Sequence, residues 1–323
     1  MIFDLKRLGC LVLGGSGFIG RNLCRALVTN GATVRSLALD APPADVDAPE
    51  WAGRIEWICG DFSDAHVVRN SLRNVDVVFH LISTTLPATS NQDVQFDLCS
   101  NVVPTLQMLE AVRNSGVQKV IFISSGGTVY GIPKHVPIAE DDPTHPICAY
   151  GIHKLAIEKY LDLFHYLWDV NYGVLRLSNP YGEWQPTDRP QGVIANFVHK
   201  AIHGQPLEVW GDGTVVRDYV YIGDVMDACL LLIDHRGPSR IFNIGTGKGH
   251  SLLELISMLE ETIGKPIDVR FREGRNADVP VNVLDVSRAA SDLRWHPTMD
   301  LESGVRLMVE LARRRPCPAE RLK

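Results

Sequence analysis

Cysteine is sparse in this 323-residue chain: seven residues, at positions 10, 24, 59, 99, 148, 229 and 317, none in a Cys-x-x-Cys pair. That scatter excludes a disulfide framework and a thiolate zinc site, and it suits thiols kept reduced in a cytoplasmic compartment. A positive charge excess is missing too, since 32 Lys plus Arg stand against 38 Asp plus Glu, a net charge of −6. The longest basic block is Arg313 to Arg315. Nucleic acid is therefore not an expected partner, because binding a phosphate backbone needs clustered cations. No apolar run approaches the roughly 20 residues of a membrane span, and Ala228 to Ile233 is far shorter. The first apolar run, Cys10 to Leu13, is stopped at once by glycines and carries no cleavage site, so neither export nor a membrane partner is expected. Internal repeats and low-complexity tracts are absent. What remains is 45% hydrophobic and 22% charged residues, a balance that fills a globular core.

Short apolar runs alternate with helical patterns through the first half. The runs are Cys10 to Leu13, Thr33 to Leu39, Ile55 to Cys59, Val75 to Leu81, Lys119 to Ser124 and Gly173 to Leu177, with amphipathic stretches such as Arg21 to Thr29 and Val94 to Ser115 between them. Strands apolar on both faces and separated by helices predict an α/β fold, a doubly wound parallel sheet covered on each side. Beyond Leu177 the texture changes to prolines, glycines and long loops, Asn179 to Gln191, followed by a helix near Val193 to His203 and a strand pair around Leu207 to Trp210 and Val215 to Tyr221. The expected division is a dinucleotide-binding domain over residues 1–178 and a smaller α/β substrate lobe over most of 179–323, with a strand near 240–245 returning to the first sheet.

Gly14-Gly15-Ser16-Gly17-Phe18-Ile19-Gly20 follows the first strand and opens a helix. Glycines at that junction allow a tight turn, close approach of backbone N–H groups to a pyrophosphate, and close packing of helix on strand. The pattern predicts a Rossmann-type dinucleotide site. An acid about 20 residues further on should hold the adenosine ribose, and Asp40 stands at that distance from Gly20. No arginine follows to hold a 2′-phosphate, which favours NAD over NADP. Asp61, in Gly60-Asp61-Phe62 after the third strand, either flanks the adenine or forms a solvated turn or helix cap.

Tyr150-Gly-Ile-His-Lys154 begins another helical pattern. Residues four apart share a helix face, so the phenol and the ammonium can address one small volume. A positive Lys154, aided by an oxidised nicotinamide, is expected to lower the phenol pKa toward neutrality and make Tyr150 a usable acid or base. A surface pair at helical spacing is the alternative, set aside because of the nucleotide turn.

Together the glycine turn, Asn101, Ser124-Ser-Gly-Gly-Thr-Val-Tyr-Gly131, Tyr150-x-x-x-Lys154, Arg176-Leu-Ser-Asn-Pro-Tyr-Gly182, Val216-Arg-Asp-Tyr-Val-Tyr221 and Arg275-Asn-Ala-Asp-Val-Pro280 resemble the extended short-chain dehydrogenase/reductases, closest to the UDP-glucose 4-epimerases. The resemblance spans nearly the whole chain. It implies that Asn101 shapes the helix behind the site, that Tyr150 and Lys154 are the acid/base and its ribose-binding lysine, and that Phe18, Ile19, Phe62 and Leu81 line the cofactor. It also implies that Asn179 meets the phosphates of a UDP-sugar and that Arg217 and Arg275 hold its diphosphate, a role suited to arginine's planar fork. Domain-bridging ion pairs are the other use for those arginines. Trp210 stands where an aromatic ring often stacks near uracil, or else it is core or interface. Two departures are visible. Gly126 replaces the usual serine or threonine four residues before the tyrosine of Val-Tyr-Gly, so Ser125 or Thr128 supplies the hydroxyl or the tyrosine works without one. The ribose-binding acid usually comes slightly earlier, where Ala38 stands.

The reaction implied first is C4 epimerisation of a UDP-hexose in carbohydrate metabolism, through a 4-keto sugar. Gly127 and Thr128 occupy the positions of the acidic pair a 4,6-dehydratase would use, which argues against dehydration. A reductase of the same family and a non-catalytic nucleotide-sugar-binding module remain open. The choice of sugar depends on the volume near Leu86, Ser178 and the Gly192 loop. Apolar residues on the 94–115 and 150–167 helices, including Leu106, Leu109, Leu163 and Leu167, predict a homodimer with a four-helix interface.

Overall fold

The computed structural model describes residues 5–40, 50–187, 191–274 and 279–314. In chain order the first half comprises β1 (Gly9–Leu13), α1 (Phe18–Thr29), β2 (Thr33–Ala38), β3 (Ile55–Cys59), α2 (Ala65–Ser71), β4 (Val77–His80), α3 (Val94–Val112), β5 (Lys119–Ser125), α4 (Ala149–Trp168) and β6 (Tyr172–Leu177). The second half comprises β7 (Asn179–Tyr181), α5 (Val193–Ile202), β8 (Leu207–Trp210), β9 (Val216–Tyr221), α6 (Ile222–Asp234), β10 (Ile241–Ile244), β11 (Gly249–Ser251), α7 (Leu252–Ile263), β12 (Val269–Arg272), β13 (Val281–Asn282), α8 (Ser287–Asp292) and α9 (Leu301–Arg314).

Seven strands form one sheet in the order β10-β6-β5-β4-β1-β2-β3, and all its pairings are parallel. The doubly wound sheet expected from the alternating runs is therefore present, with β10 beside β6. Its strands are apolar throughout because both faces are covered. On one side Leu23, Leu27 and Val28 of α1 and Val225, Cys229 and Leu232 of α6 meet Val12, Phe79 and Ile123; on the other, Val102, Met108 and Leu109 of α3 and Ile157 and Leu161 of α4 meet Leu11, Val78 and Phe122. Local signals set the helix ends. Asp64 and Asp93 cap α2 and α3 with their carboxylates, Ser251 and Glu254 make a reciprocal capping box on α7, and Gly264 ends that helix in the left-handed region.

The chain leaves the main sheet at Ser178. A third core, built on Phe197, Leu207, Val209, Leu255, Leu259, Val305 and Val309, joins α5, α7 and α9 to β8. Here one expectation is corrected. The strands at Leu207–Trp210 and Val216–Tyr221 both exist but do not pair with each other: β8 lies parallel to β12, whereas β9 pairs with β7, β11 and β13. A second correction concerns Leu109, which is wholly buried in its own subunit's core. Leu163 and Leu167 are exposed on α4, together with Ile152, Tyr166 and Trp168, and Val94, Phe96, Leu98 and Val103 are exposed on α3. No helix among the described residues is long and apolar enough to cross a membrane.

Trp295 locks the segment after α8 beneath α6, being 1% exposed and donating its indole N–H to the Asp224 carbonyl at 2.8 Å. Replacing it with alanine removes a large buried ring and its hydrogen bond together. The expected loss is about 3–5 kcal/mol, read as a lower urea midpoint with secondary structure retained before the transition.

Candidate active site

The carboxyl ends of β1, β4, β5 and β6 share one edge of the sheet, and β1 lies beside β4 where the winding reverses direction. Crevices at such switch points bind ligands in open α/β sheets. Gly14 has φ +91°, a conformation that favours glycine. A Cβ on Gly15 would approach Ser36 Cβ to 2.8 Å and one on Gly20 would approach Gly15 Cα to 2.6 Å, so only hydrogen fits where helix and strand pass. Gly17 is the N-cap of α1 and brings no side chain to its first N–H groups, and the first turn carries no acid. Phe18, Ile19 and Gly20 thus start a helix whose positive end is free of any built-in anion, which fits a pyrophosphate.

Neighbouring strand ends complete this crevice. Leu81 N–H donates to the Leu13 carbonyl at 3.1 Å, and Gly14 packs against Leu81 and Ile82. Asp40 is exposed just past β2. The Asp61 carboxylate accepts the Ser63 N–H at 2.8 Å, a bond that holds it below the usual carboxylate range, while Asp64 rather than Asp61 caps α2. Phe62 faces the core with its ring 5.1 Å from that of His80, which leaves its main chain for a nucleotide to meet.

Tyr150 and Lys154 lie on the first turns of α4, one turn apart as the spacing required. Lys154 is 2% exposed; its Nζ donates to the Ile123 carbonyl at 3.0 Å and sits 5.6 Å from the centre of the Tyr150 ring. Burial brings the ammonium down to about 7 against the upward pull of Glu158 and Asp97. Burial also raises the Tyr150 phenol, as do the nearby Cys148 and Asp97. In the chain by itself desolvation dominates at the phenol, whereas the acidification expected of Lys154 together with an oxidised nicotinamide concerns the loaded site.

The loop after β4 carries residues the sequence reading did not single out. Within it, Ser83 Oγ donates to the Thr85 carbonyl at 3.1 Å. Thr85 Oγ1 donates to Asp97, and both carboxylate oxygens of Asp97 meet His153 Nδ1, at 2.8 and 3.0 Å. Burial and Lys154 hold that imidazole below its ordinary value, so neutral His153 donates its Nδ1–H. Its ring packs edge-on against Tyr150 at 5.0 Å. Asn101 accepts the Thr84 N–H at 2.9 Å and donates to Thr84 Oγ1 and the Asp97 carbonyl, each at 2.8 Å, fixing the loop against α3. Ser90 and Asn91 accept the N–H groups of Tyr150 and Ala149 at 3.0 and 2.9 Å. The Ser-Thr-Thr run and the placement of Asp97 one turn before Asn101 were the available signals.

Behind Lys154 lies a second buried network. Arg176 holds Glu158 with its nearest contact at 2.6 Å, Ser124 Oγ donates to Glu158 at 2.5 Å, and Arg176 also reaches Tyr130, whose hydroxyl donates to Asn243 at 2.7 Å. These bonds fix the end of β5, where Ser125 is half-buried and Thr128 Oγ1 is buried without a hydrogen bond.

On the far side of the crevice, Asn179 donates to the Asp218 carbonyl at 3.0 Å and Ser178 approaches Asp218 Oδ1 at 3.5 Å. Arg217 is half-buried on β9 and donates to the Val216 carbonyl at 2.9 Å. Trp210 ends β8 and is 42% exposed, so it is not core. Arg275 lies outside the described residues. The turn after β7 is stapled to α1: Asn22 donates to the Glu183 carbonyl at 3.0 Å, Arg25 pairs with Glu183 at 2.5 Å, and the Arg21 and Arg25 guanidiniums lie over the Trp184 ring at 4.9 and 4.6 Å.

Comparison with known proteins agrees with this geometry. Residues 10–245 match the model of the NAD dependent epimerase/dehydratase family. A putative UDP-glucose 4-epimerase from Methanocaldococcus jannaschii is 34% identical over 93% of this chain and 96% of its own. A dTDP-4-dehydro-6-deoxyglucose reductase from Escherichia coli is 31% identical over 96% and 99%. The crystal structure of a UDP-glucose 4-epimerase from Thermotoga maritima with UDP-glucose superposes with a TM-score of 0.89 at 33% identity, covering 98% of this chain and 100% of that one.

His80, buried at the end of β4 between Phe62 and Phe122, bonds Thr105 at 2.8 Å. Burial, then Lys154 and His153, lower it from 6.5 to about 3. Between those values the unfolded chain binds a proton that the folded chain refuses, so stability contributed by neutral His80 is present above 6.5 and is lost as pH falls toward 3. Urea midpoints measured across that interval should fall with acidification, and His80→Gln should flatten the slope.

Proposed function

Because the chain belongs to the NAD dependent epimerase/dehydratase family, we propose that it is a nucleotide-sugar 4-epimerase acting on a UDP-hexose. The observation that carries this reading is the Tyr150–Lys154 pair, placed beside the strand ends that adjoin the glycine turn. NAD, when bound, would supply a reversible hydride acceptor for the sugar C4 and would be regenerated within each turnover. Gly14, Gly17 and Gly20 with the main chain of Phe18 and Ile19 hold its pyrophosphate in this reading; Asp40 takes the adenosine ribose, Asp61 and Phe62 flank the adenine, and Leu81, Asn101 and Lys154 border the nicotinamide end. Residues 1–178 with β10 form the cofactor domain, and most of 179–323 serves the sugar nucleotide.

Tyr150 as phenolate accepts the proton of the sugar 4-hydroxyl and returns it to the 4-keto oxygen after the sugar has turned over, so the proton balance closes within each turnover. Ser125 and Thr128 supply hydroxyls to the sugar. Asn179, Arg217 and Arg275 hold the diphosphate, leaving the hexose free to rotate about it, and Trp210 stacks on the uracil. The exposed apolar residues of the paired helices α3 and α4 support a homodimer built across them. The scattered cysteines suit work in the cytoplasm.

A reductase of 4-keto nucleotide sugars is the second reading, favoured by the similarity to the Escherichia coli enzyme. Incubating the purified protein with UDP-glucose, UDP-N-acetylglucosamine and UDP-glucuronate, with no cofactor added, separates the two. Epimerisation predicts interconversion at C4 in at least one sample. A reductase leaves all three unchanged and consumes reduced cofactor when given a 4-keto sugar nucleotide. Tyr150→Phe should lower turnover by at least about 100-fold. Light scattering at micromolar concentration should give the mass of a dimer, and replacing Leu163 and Leu167 with glutamate should give a monomer.

A further inference from the structure

Between Tyr150 and Lys154 on α4 stands a histidine that the proposed chemistry does not use. His153 is 1% exposed, and its ring meets the Tyr150 ring edge-on, with centres 5.0 Å apart and planes at 66°. Ser90 holds the Tyr150 backbone through its N–H at 3.0 Å. A tyrosine side chain still turns about two bonds from a fixed backbone. The direction of the phenol hydroxyl is therefore left to the groups packed against the ring.

His153 is itself aimed by a carboxylate. Its Nδ1 meets both oxygens of Asp97, at 2.8 and 3.0 Å. An ionised carboxylate brings no proton to that contact, so the imidazole carries it on Nδ1. Asp97 is 2% exposed on α3 and also accepts the hydroxyl proton of Thr85 from the loop after β4. Asn101 holds the Asp97 carbonyl at 2.8 Å. Three elements, α3, α4 and the β4 loop, thus meet on one buried carboxylate, and the imidazole it holds leans on the phenol.

Stability alone does not account for this pair. Apolar residues of similar volume commonly replace a buried charged pair without loss. His153 Nε2 is also buried with no hydrogen bond among the described residues, a cost that a phenylalanine would avoid. What the anchored imidazole adds is direction, since an edge-to-face contact favours one arrangement of the two rings. We propose that His153, aimed by Asp97, is the positioning residue that sets the direction of the Tyr150 hydroxyl. Its role rests on Tyr150 being the acid/base of the proposed reaction.

The test joins kcat and KM to NMR of NAD-loaded protein labelled on the histidine ring nitrogens and the tyrosine rings, assigned with His153→Phe and Tyr150→Phe. In the wild type the His153 proton should lie on Nδ1. Asp97→Ala should free that proton to move to Nε2 and let the Tyr150 ring flip about tenfold faster, the upper worth of an edge-to-face contact. Its kcat should fall at least about tenfold, with KM within about twofold, because orientation is lost and binding is not. Asp97→Asn, whose Oδ1 still accepts the Nδ1 proton, should restore the tautomer and the flip rate and recover most of kcat. Asp97→Asn combined with His153→Phe keeps both volumes and buries no charge, so it serves if Asp97→Ala does not fold; with a ring but no anchor, it should lose kcat similarly. A wild-type His153 protonated on Nε2 alone overturns the proposal. So does a Tyr150 ring, or a kcat, left unmoved by loss of the anchor. If the wild type epimerises none of the three sugar nucleotides yet loss of the anchor frees the Tyr150 ring, the epimerase reading fails and the positioning role of His153 stands.

Discussion

Enclosing an ammonium at the carboxyl edge of the sheet is the constraint on which the rest depends. A desolvated Lys154 costs several kcal/mol unless partners surround it, and the fold provides them at short range. The Ile123 carbonyl accepts its proton, and Glu158, one turn further along α4, lends negative charge. Glu158 in turn would be an isolated buried charge without Arg176, which bridges it to Tyr130 and so to Asn243 on the edge strand. Lys154 thus stands on a chain of paired groups that runs through α4, β5, β6 and β10, and its position inherits the rigidity of the main sheet.

Opposite that network lies a second one of hydroxyls and amides. Ser83, Thr84, Thr85, Ser90 and Asn91 fasten a single loop to α3 and to the first turn of α4. The first turn of α4 therefore takes its backbone position from this loop, through Ser90 and Asn91, while the charged scaffold sets Lys154 one turn further on. The staple of Glu183 and Trp184 onto α1 adds a third tie, joining the strand that carries Asn179 to the helix that opens at the glycine turn.

The main sheet was legible because strands buried on both faces read as unbroken apolar runs, and β1 through β6 fall where those runs lie. The second lobe was less so. Leu207–Trp210 and Val216–Tyr221 look like a hairpin because they are neighbours in sequence, yet β8 pairs with β12 and nothing in a four-residue run encodes a parallel partner about 60 residues away. In the site, the glycine turn and the Tyr150–Lys154 spacing were readable since both are local. Asp97 with His153 and Ser90 with Tyr150 are not, because each pair is brought together only by packing α3 and the β4 loop against α4. The burial of the phenol is not legible for a related reason: sequence reveals that Lys154 is cationic, whereas how much water the fold removes around it is a property of packing.

The proposed chemistry requires Tyr150 and Lys154 to face a dinucleotide that begins at the glycine turn. A crystal structure of the chain with NAD bound tests this most directly. The pyrophosphate should lie on the N-terminus of α1, and the nicotinamide ribose should lie within hydrogen-bonding distance of Lys154 Nζ and the Tyr150 hydroxyl. A nicotinamide ring seated away from that pair, with the glycine turn occupied or not, would contradict it.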